Sequence, residues 1–163
     1  FISSPKTDAN CRFLNRDSTS RYGIGITPAM SMLKTLAHRR VDAPVYFIHA
    51  ARNSRFHAIG DEVRRVANDC PNIHTHIRYD APLAEDLDHG SCDSAGLMKM
   101  SLLQELLSTN DAEFYFCGPM PFMSVLYHGL KDWGVPESRM HFEFFGPKRY
   151  IAQNDAATHG PLI

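Results

Sequence analysis

Three short stretches hold residue types whose spacing suits chemistry. The first is Gly23-Ile24-Gly25-Ile26-Thr27-Pro28. Glycine lets a backbone turn through positive φ or approach a ligand closely. Thr27 suits a helix N-cap, and Pro28 suits the first helical turn, where a missing N–H costs nothing. The free N–H groups and the dipole of such a helix start favour an anion, and the Thr27 hydroxyl adds a donor for a phosphate. A tight turn into a well-capped helix needs the same residues, so this loop alone leaves both readings open.

The second stretch is Cys117-Gly118-Pro119-Met120, which ends an apolar run and opens a helical one. Gly118 removes bulk where a flat ring would approach, and Cys117 is a small, polarizable neighbour for such a ring. A strand-ending turn beside a buried structural cysteine is the alternative. The third is Phe144-Phe145-Gly146-Pro147. Two aromatics at a strand end are usually core, but one of them at a binding edge could cover an aromatic cofactor. Arg52 and Arg78 close two strand-like runs, where an arginine pairs bidentately with a phosphate or stays a solvated charge.

The nine histidines suggest a metal, and His74 and His76 share one strand face. No third ligand is identifiable near them, so no metal is expected. The chain has no Gly-x-Ser-x-Gly motif and no arguable Ser-His-Asp set.

These loops need elements to hold them. "PAMSMLKTLAHRR" puts Met30, Leu33, Leu36 and Ala37 on one helical face and ends in basic residues. "PVYFIHA" (44–50) and "NIHTHIRY" (72–79) read as strands, with a helix in "HAIGDEVRRVAND" (57–69) between them. "DAPLAEDLDHGSCDSAG", with its proline, two glycines and five acids, reads as a long surface excursion. A helix follows in "LMKMSLLQELLS", then a strand over 112–119, a helix in "PFMSVLYHGLKDWG" closed by Gly134, and a strand over 139–147. Strands alternating with helices predict an α/β fold, a doubly wound parallel sheet of about five strands that is Rossmann-like. Ligands then bind beyond the strands' C-terminal ends, where strand order reverses.

The 163 residues suffice for one domain with a core, and 44% hydrophobic with 21% charged residues is ordinary globular composition. A net charge of −1 makes nucleic acid and anionic membranes unexpected partners. No apolar stretch approaches a membrane span. Cys11, Cys70, Cys92 and Cys117 form no Cys-x-x-Cys pair, which suggests a reduced, cytoplasmic protein. The first residue is Phe1, not Met, so the expectation is a part of a longer protein.

"GIGITPAMSML", "FIHAARN", "FYFCGPMPFM" and "EFFGP" occur in this order in a way that resembles the pyridine-nucleotide domain of the ferredoxin–NADP reductase superfamily. The resemblance is strongest to the reductase module of flavohaemoglobins and covers about residues 23–148. It implies that Gly23, Gly25, Ile26, Thr27 and Pro28 hold the pyrophosphate of NAD(P)H. It places Cys117, Gly118, Pro119 and Met120 by the nicotinamide, and Phe145, with Phe144, Gly146 and Pro147 beside it, over a flavin ring. Arg52, Asn53 and Arg78 fall where family members contact the adenosine half. The implied function is the NAD(P)H-binding half of a flavin-dependent oxidoreductase, passing hydride to FAD or FMN. The implied partners are a flavin-binding barrel in cis and a haem or [2Fe–2S] domain as electron acceptor. The alternative is a non-catalytic nucleotide-binding module, or a fragment inactive without its flavin domain.

Two departures from the family pattern stand out. No flavin-holding Arg-x-Tyr-Ser type motif is present, and residues 1–22 look like the end of a preceding barrel or a linker. Tyr22 also joins Gly23 directly, where relatives carry about six apolar residues that form the central strand. The expectation is therefore a sheet whose middle strand is missing from the sequence. Residues 149–163 are expected to be a tail or linker. The end of the second strand reads "HAARN", with Arg52 and no acid, which leans toward acceptance of NADP(H).

Overall fold

Three buried apolar residues on one short strand decide the architecture. In the computed structural model, which describes residues 11–16, 26–57 and 59–142, strand β1 (Cys11–Arg16) turns Cys11 and Phe13 to one side and Leu14 to the other, all three buried. β1 pairs in parallel with β2 (Val45–Ala51) on one flank and β5 (Glu113–Cys117) on the other. It is thus an inner strand of the sheet. The stretch "CRFLNR", expected to lie before the domain, fills the central position that the sequence pattern leaves empty ahead of Gly23. Three apolar side chains in the right alternation are enough, because both neighbouring strands bury them.

β3 (Ile73–Tyr79), β4 (Ser94–Ala95) and β6 (Met140–Phe142) complete one parallel sheet in the order β4-β3-β2-β1-β5-β6. The doubly wound α/β expectation holds, with six strands rather than about five. The additional strand is β4, two residues inside the excursion, too short to show a period.

Helices α1 (Ile26–Arg39) and α2 (Gly60–Asp69) cover one face, burying Met30, Leu33, Leu36 and Val63 against Phe13, Phe47 and Tyr115. Helices α4 (Met100–Leu106) and α5 (Met120–Asp132) cover the other, burying Leu103, Met123 and Leu126 against Leu14, Ile48, Phe114 and Phe116. The short α3 (Ala84–Asp88) lies within the excursion. Gly129 lets α4 approach α5 closely, since a Cβ there would sit 2.1 Å from Met100 Cγ. α5 closes as its sequence predicts. Gly134 takes φ +87°, its N–H bonds Lys131 O, and the Val135 N–H bonds Leu130 O, a Schellman motif.

At the amino edge of the sheet His141 Nε2 lies 2.6 Å from Glu113 Oε2, and Arg139 pairs with Asp111. Both pairs fix the edge strand β6 beside β5.

Candidate functional site at the carboxyl edge

The chain runs β1 to β4 in one direction across the sheet, then returns past β1 to lay down β5 and β6. Strand order therefore reverses between β1 and β5, and sheets of this kind bind ligands beyond the strands' carboxyl ends at such a point. Asn15 pairs in register with Cys117, so the two strands end at the same level. α5 starts at Met120, three residues past Cys117. α1 packs on β1 and β5, and its C-terminus leads through residues 40–44 to the start of β2. A 14-residue helix is about 21 Å long, close to the length of these strands. Its N-terminus thus returns to the carboxyl edge. Two helix starts, one on each face, bracket the reversal point.

α1 begins at Ile26, one residue before the expected N-cap, so Thr27 and Pro28 lie inside its first turn. Pro28 fits there because the first N–H groups of a helix have no partner within it. Thr27 is exposed and Pro28 half-buried. Cys117 is buried and in no disulfide, and Gly118, Pro119 and Met120 are half-buried beside it. Gly23, Gly25, Phe144, Phe145, Gly146 and Pro147 lie outside the described residues.

The three residues expected near an adenosine differ in placement. Arg52 follows β2 directly and is exposed. Asn53 is buried, its Nδ2 donating to Ala81 O at 3.3 Å and its Oδ1 accepting from Arg55 N at 3.2 Å. It caps the short 3-10 turn Ser54–Phe56 and ties it to the excursion. Arg78 donates to Gly96 O, Leu97 O and Ser94 Oγ, so its guanidinium organises the β4 segment. His74 packs on the ring of Tyr46, and His76 Nε2 lies 2.8 Å from Ser94 Oγ. Among the described residues no group of three or more metal-ligating side chains forms.

One cluster has no counterpart in the sequence-based reading. His49, fully buried on β2, stacks on His57 at 4.6 Å. His57 Nδ1 lies 2.9 Å from the Tyr79 hydroxyl. Burial, then the neighbouring charges of His49 and Arg64, hold His57 down at about 3. Burial first and Asp86 next push Tyr79 up to about 12. The tyrosine therefore donates to a neutral imidazole. Gly60 makes room for the ring: a Cβ there would sit 2.5 Å from His57 Cε1. His57, Gly60 and Tyr79, with Ser54, Arg64 and His89, line a cleft of about 370 Å³ beside the ends of β2 and β3. A larger hollow of about 810 Å³, lined by Arg40, Asp42, Asp69 and Asn72, lies at the opposite, amino edge. It is away from the strand ends where such sheets bind ligands. The His-x-x-Gly spacing of His57 and Gly60 was the only sequence signal for the cluster, and Asp86 was one acid among five.

A doubly wound sheet with two helix starts at its reversal point defines a dinucleotide-type α/β domain. The chain belongs to the family described as the oxidoreductase NAD-binding domain, whose model matches residues 22–127. It is 48% identical over 129 residues to a flavohemoprotein of Rhodopirellula baltica, covering 79% of this chain and 32% of that protein. It is 42% identical over 132 residues to a flavohemoprotein of Halalkalibacterium halodurans, covering 81% of this chain and 32% of that one. The chain thus spans about a third of the length of these curated relatives. Among solved structures, the flavohem-like FAD/NAD-binding domain of nitric oxide dioxygenase from Vibrio cholerae superposes with a TM-score of 0.72 at 24% identity, over 90% of this chain and 55% of that one. The Malassezia yamatoensis flavohemoglobin with bound FAD and heme gives 0.69 at 19% identity, over 86% and 33%. The resemblance to the nucleotide domain of a flavohaemoglobin-type reductase holds.

Proposed function

We propose that this chain is the NAD(P)H-binding half of a flavin-dependent oxidoreductase that works with a flavin-binding domain and a haem domain in cis. The observation that carries the reading is the reversal of strand order between β1 and β5, with the GxGxTP and CGP segments leading into the two flanking helices. The donor set fits the group. The first turn of α1 offers backbone N–H groups and a positive dipole end for a pyrophosphate, with the Thr27 hydroxyl exposed beside them. Gly118 has no side chain and Cys117 a small one, so little bulk would oppose a flat ring beside them. Arg52 stands exposed past β2, where an adenosine ribose or its phosphate would lie.

When bound, nicotinamide supplies the hydride and flavin receives it. The chain's own task is orientation and exclusion of water, which is where a protein contributes most to such a transfer. The flavohemoprotein relatives supply the case for haem as the onward acceptor.

Calorimetric titration of the chain with NADH and NADPH tests the nucleotide half of this reading. Saturable one-to-one binding, competed by NAD+, is expected. Absence of saturable binding to either nucleotide at millimolar concentration overturns it. In the protein with its flavin domain, rapid mixing with NADH should bleach the flavin absorbance.

A further inference from the structure

We propose that Asp86 is a positioning residue for nucleotide binding: from the excursion after β3 it fixes the backbone that presents Arg52 and Arg55 at the end of β2. This rests on the reading above, that the adenosine half of the nucleotide lies there.

Asp86 and Glu113 are the two buried carboxylates among the described residues. Glu113 has His141 as its partner. Asp86, only 1% exposed on a five-residue surface helix, is held otherwise. Its Oδ2 accepts from the N–H of Leu83 at 2.9 Å and from the N–H of Ser54 at 3.3 Å. The first bond is local and caps α3. The second reaches across 32 positions to the 3-10 turn after β2. A cap for a short helix does not need that reach.

The second bond closes a run of links. The Asp80 N–H bonds Ala51 O, the Ala81 N–H bonds Arg52 O, and the Asn53 amide bonds Ala81 O. Positions 51 to 54 are thus tied in succession to the excursion, and Asp86 makes the last tie. Glu85, its neighbour, lies 3.6 Å from Arg55. Burial raises the Asp86 carboxyl. The Ser54 hydroxyl, the Leu83 and Ser54 N–H groups and the Arg55 charge outweigh it and bring the group below the usual carboxylate range. The carboxylate therefore stays an acceptor at working pH. Without it the Ser54 N–H loses its partner, and the loop bearing both arginines is held from one side only. A ligand that used them would have to order the loop as it bound.

The test compares Asp86→Ala, Asp86→Asn and Ser54→Pro in the full chain, titrated with NADH, with AMP and with reduced nicotinamide mononucleotide. Asp86→Ala should weaken NADH and AMP by about tenfold and leave the mononucleotide unchanged. Asp86→Asn keeps an oxygen for both N–H groups and should stay within about twofold of the native chain. Ser54→Pro deletes both donors of Ser54, its N–H and its hydroxyl, and leaves the carboxylate in place. Proline suits the first position of a helical turn, and the extended Asn53 before it is compatible with proline. It should reproduce the Asp86→Ala loss even if that variant folds poorly. Unchanged NADH affinity in the variants that fold, or equal loss for both halves of the nucleotide, overturns the proposal. If the native chain binds neither half, the function proposed above fails instead.

Discussion

Phe13 and Tyr115 stack with ring centroids 5.2 Å apart and planes 24° from parallel, across the boundary where the strand order reverses. The contact joins the strand "CRFLNR" to β5, and Phe47 flanks Phe13 on the other side at 6.3 Å. Phe13 is fully buried. Its replacement by alanine should cost about 3–5 kcal/mol, measured by urea unfolding. That is a large part of the stability of a domain this size. A cost below about 1 kcal/mol would mean that residues 11–16 do not sit in the middle of the sheet.

Gly60 opens α2 under the His57 ring, which is wedged between His49 and Tyr79. Alanine in place of a helical glycine ordinarily stabilises by about 0.5–1 kcal/mol. Here the new Cβ meets the ring of His57, which its stacking on His49 and its bond to Tyr79 hold in place. Gly60→Ala should instead destabilise by about 1–3 kcal/mol. Adding His57→Ala removes the obstacle, so the double variant should be more stable than the sum of the two single changes requires. Strict additivity in the melts would show that the ring yields freely.

Local features were legible where a single residue type serves a single geometry. Gly134 follows the last turn of α5 and takes the positive φ that only glycine accepts easily. "EFYFC" reads as a buried strand because its apolar run stops at Gly-Pro. β1 was missed because its burial comes from β2 and β5, remote in sequence, while Arg12, Asn15 and Arg16 dilute its pattern. β4 owes its existence to Arg78, whose guanidinium holds Ser94, Gly96 and Leu97. The arginine reads as a ligand group from sequence, and only tertiary contacts reveal this use. Asn53 is a similar case: an amide beside a candidate site looks like a ligand until its hydrogen bonds are seen. The alternation of strands and helices, and with it the carboxyl edge where the site is proposed, was readable in the sequence. The loops tied together at that edge were not, since two of their bonds run between backbone groups and the other two join a side chain to a backbone group about 30 positions away.

Arg52 has no acidic neighbour in sequence and stands exposed past β2. An arginine there tolerates a ribose 2′-phosphate, whereas an acid bonds the 2′-hydroxyl. Arg52→Glu should raise the Kd for NADPH by about tenfold while changing that for NADH by less than about twofold, read by titration of the chain. Equal effects on both nucleotides would remove Arg52 from cofactor selection.

His57 makes stability depend on pH in a defined window. Its pKa falls from 6.5 to about 3 on folding, through burial and the charges of His49 on β2 and Arg64 on α2. Above 6.5 the ring is neutral in both folded and unfolded chains, and it adds no pH dependence. Between 6.5 and about 3 the unfolded chain takes up a proton that the folded one refuses. Stability is therefore lost as pH falls through that window, by up to about 1.4 kcal/mol per unit. His57→Phe keeps a flat ring against His49 and Gly60 but does not titrate, although it gives up the bond from Tyr79. The stability difference between native chain and variant should be constant above about pH 7. It should move by about 2 kcal/mol, against the native chain, by about pH 5. Urea unfolding at a series of pH values reads this difference directly. Parallel curves for the two proteins would mean that His57 is protonated in the fold as readily as in the unfolded chain.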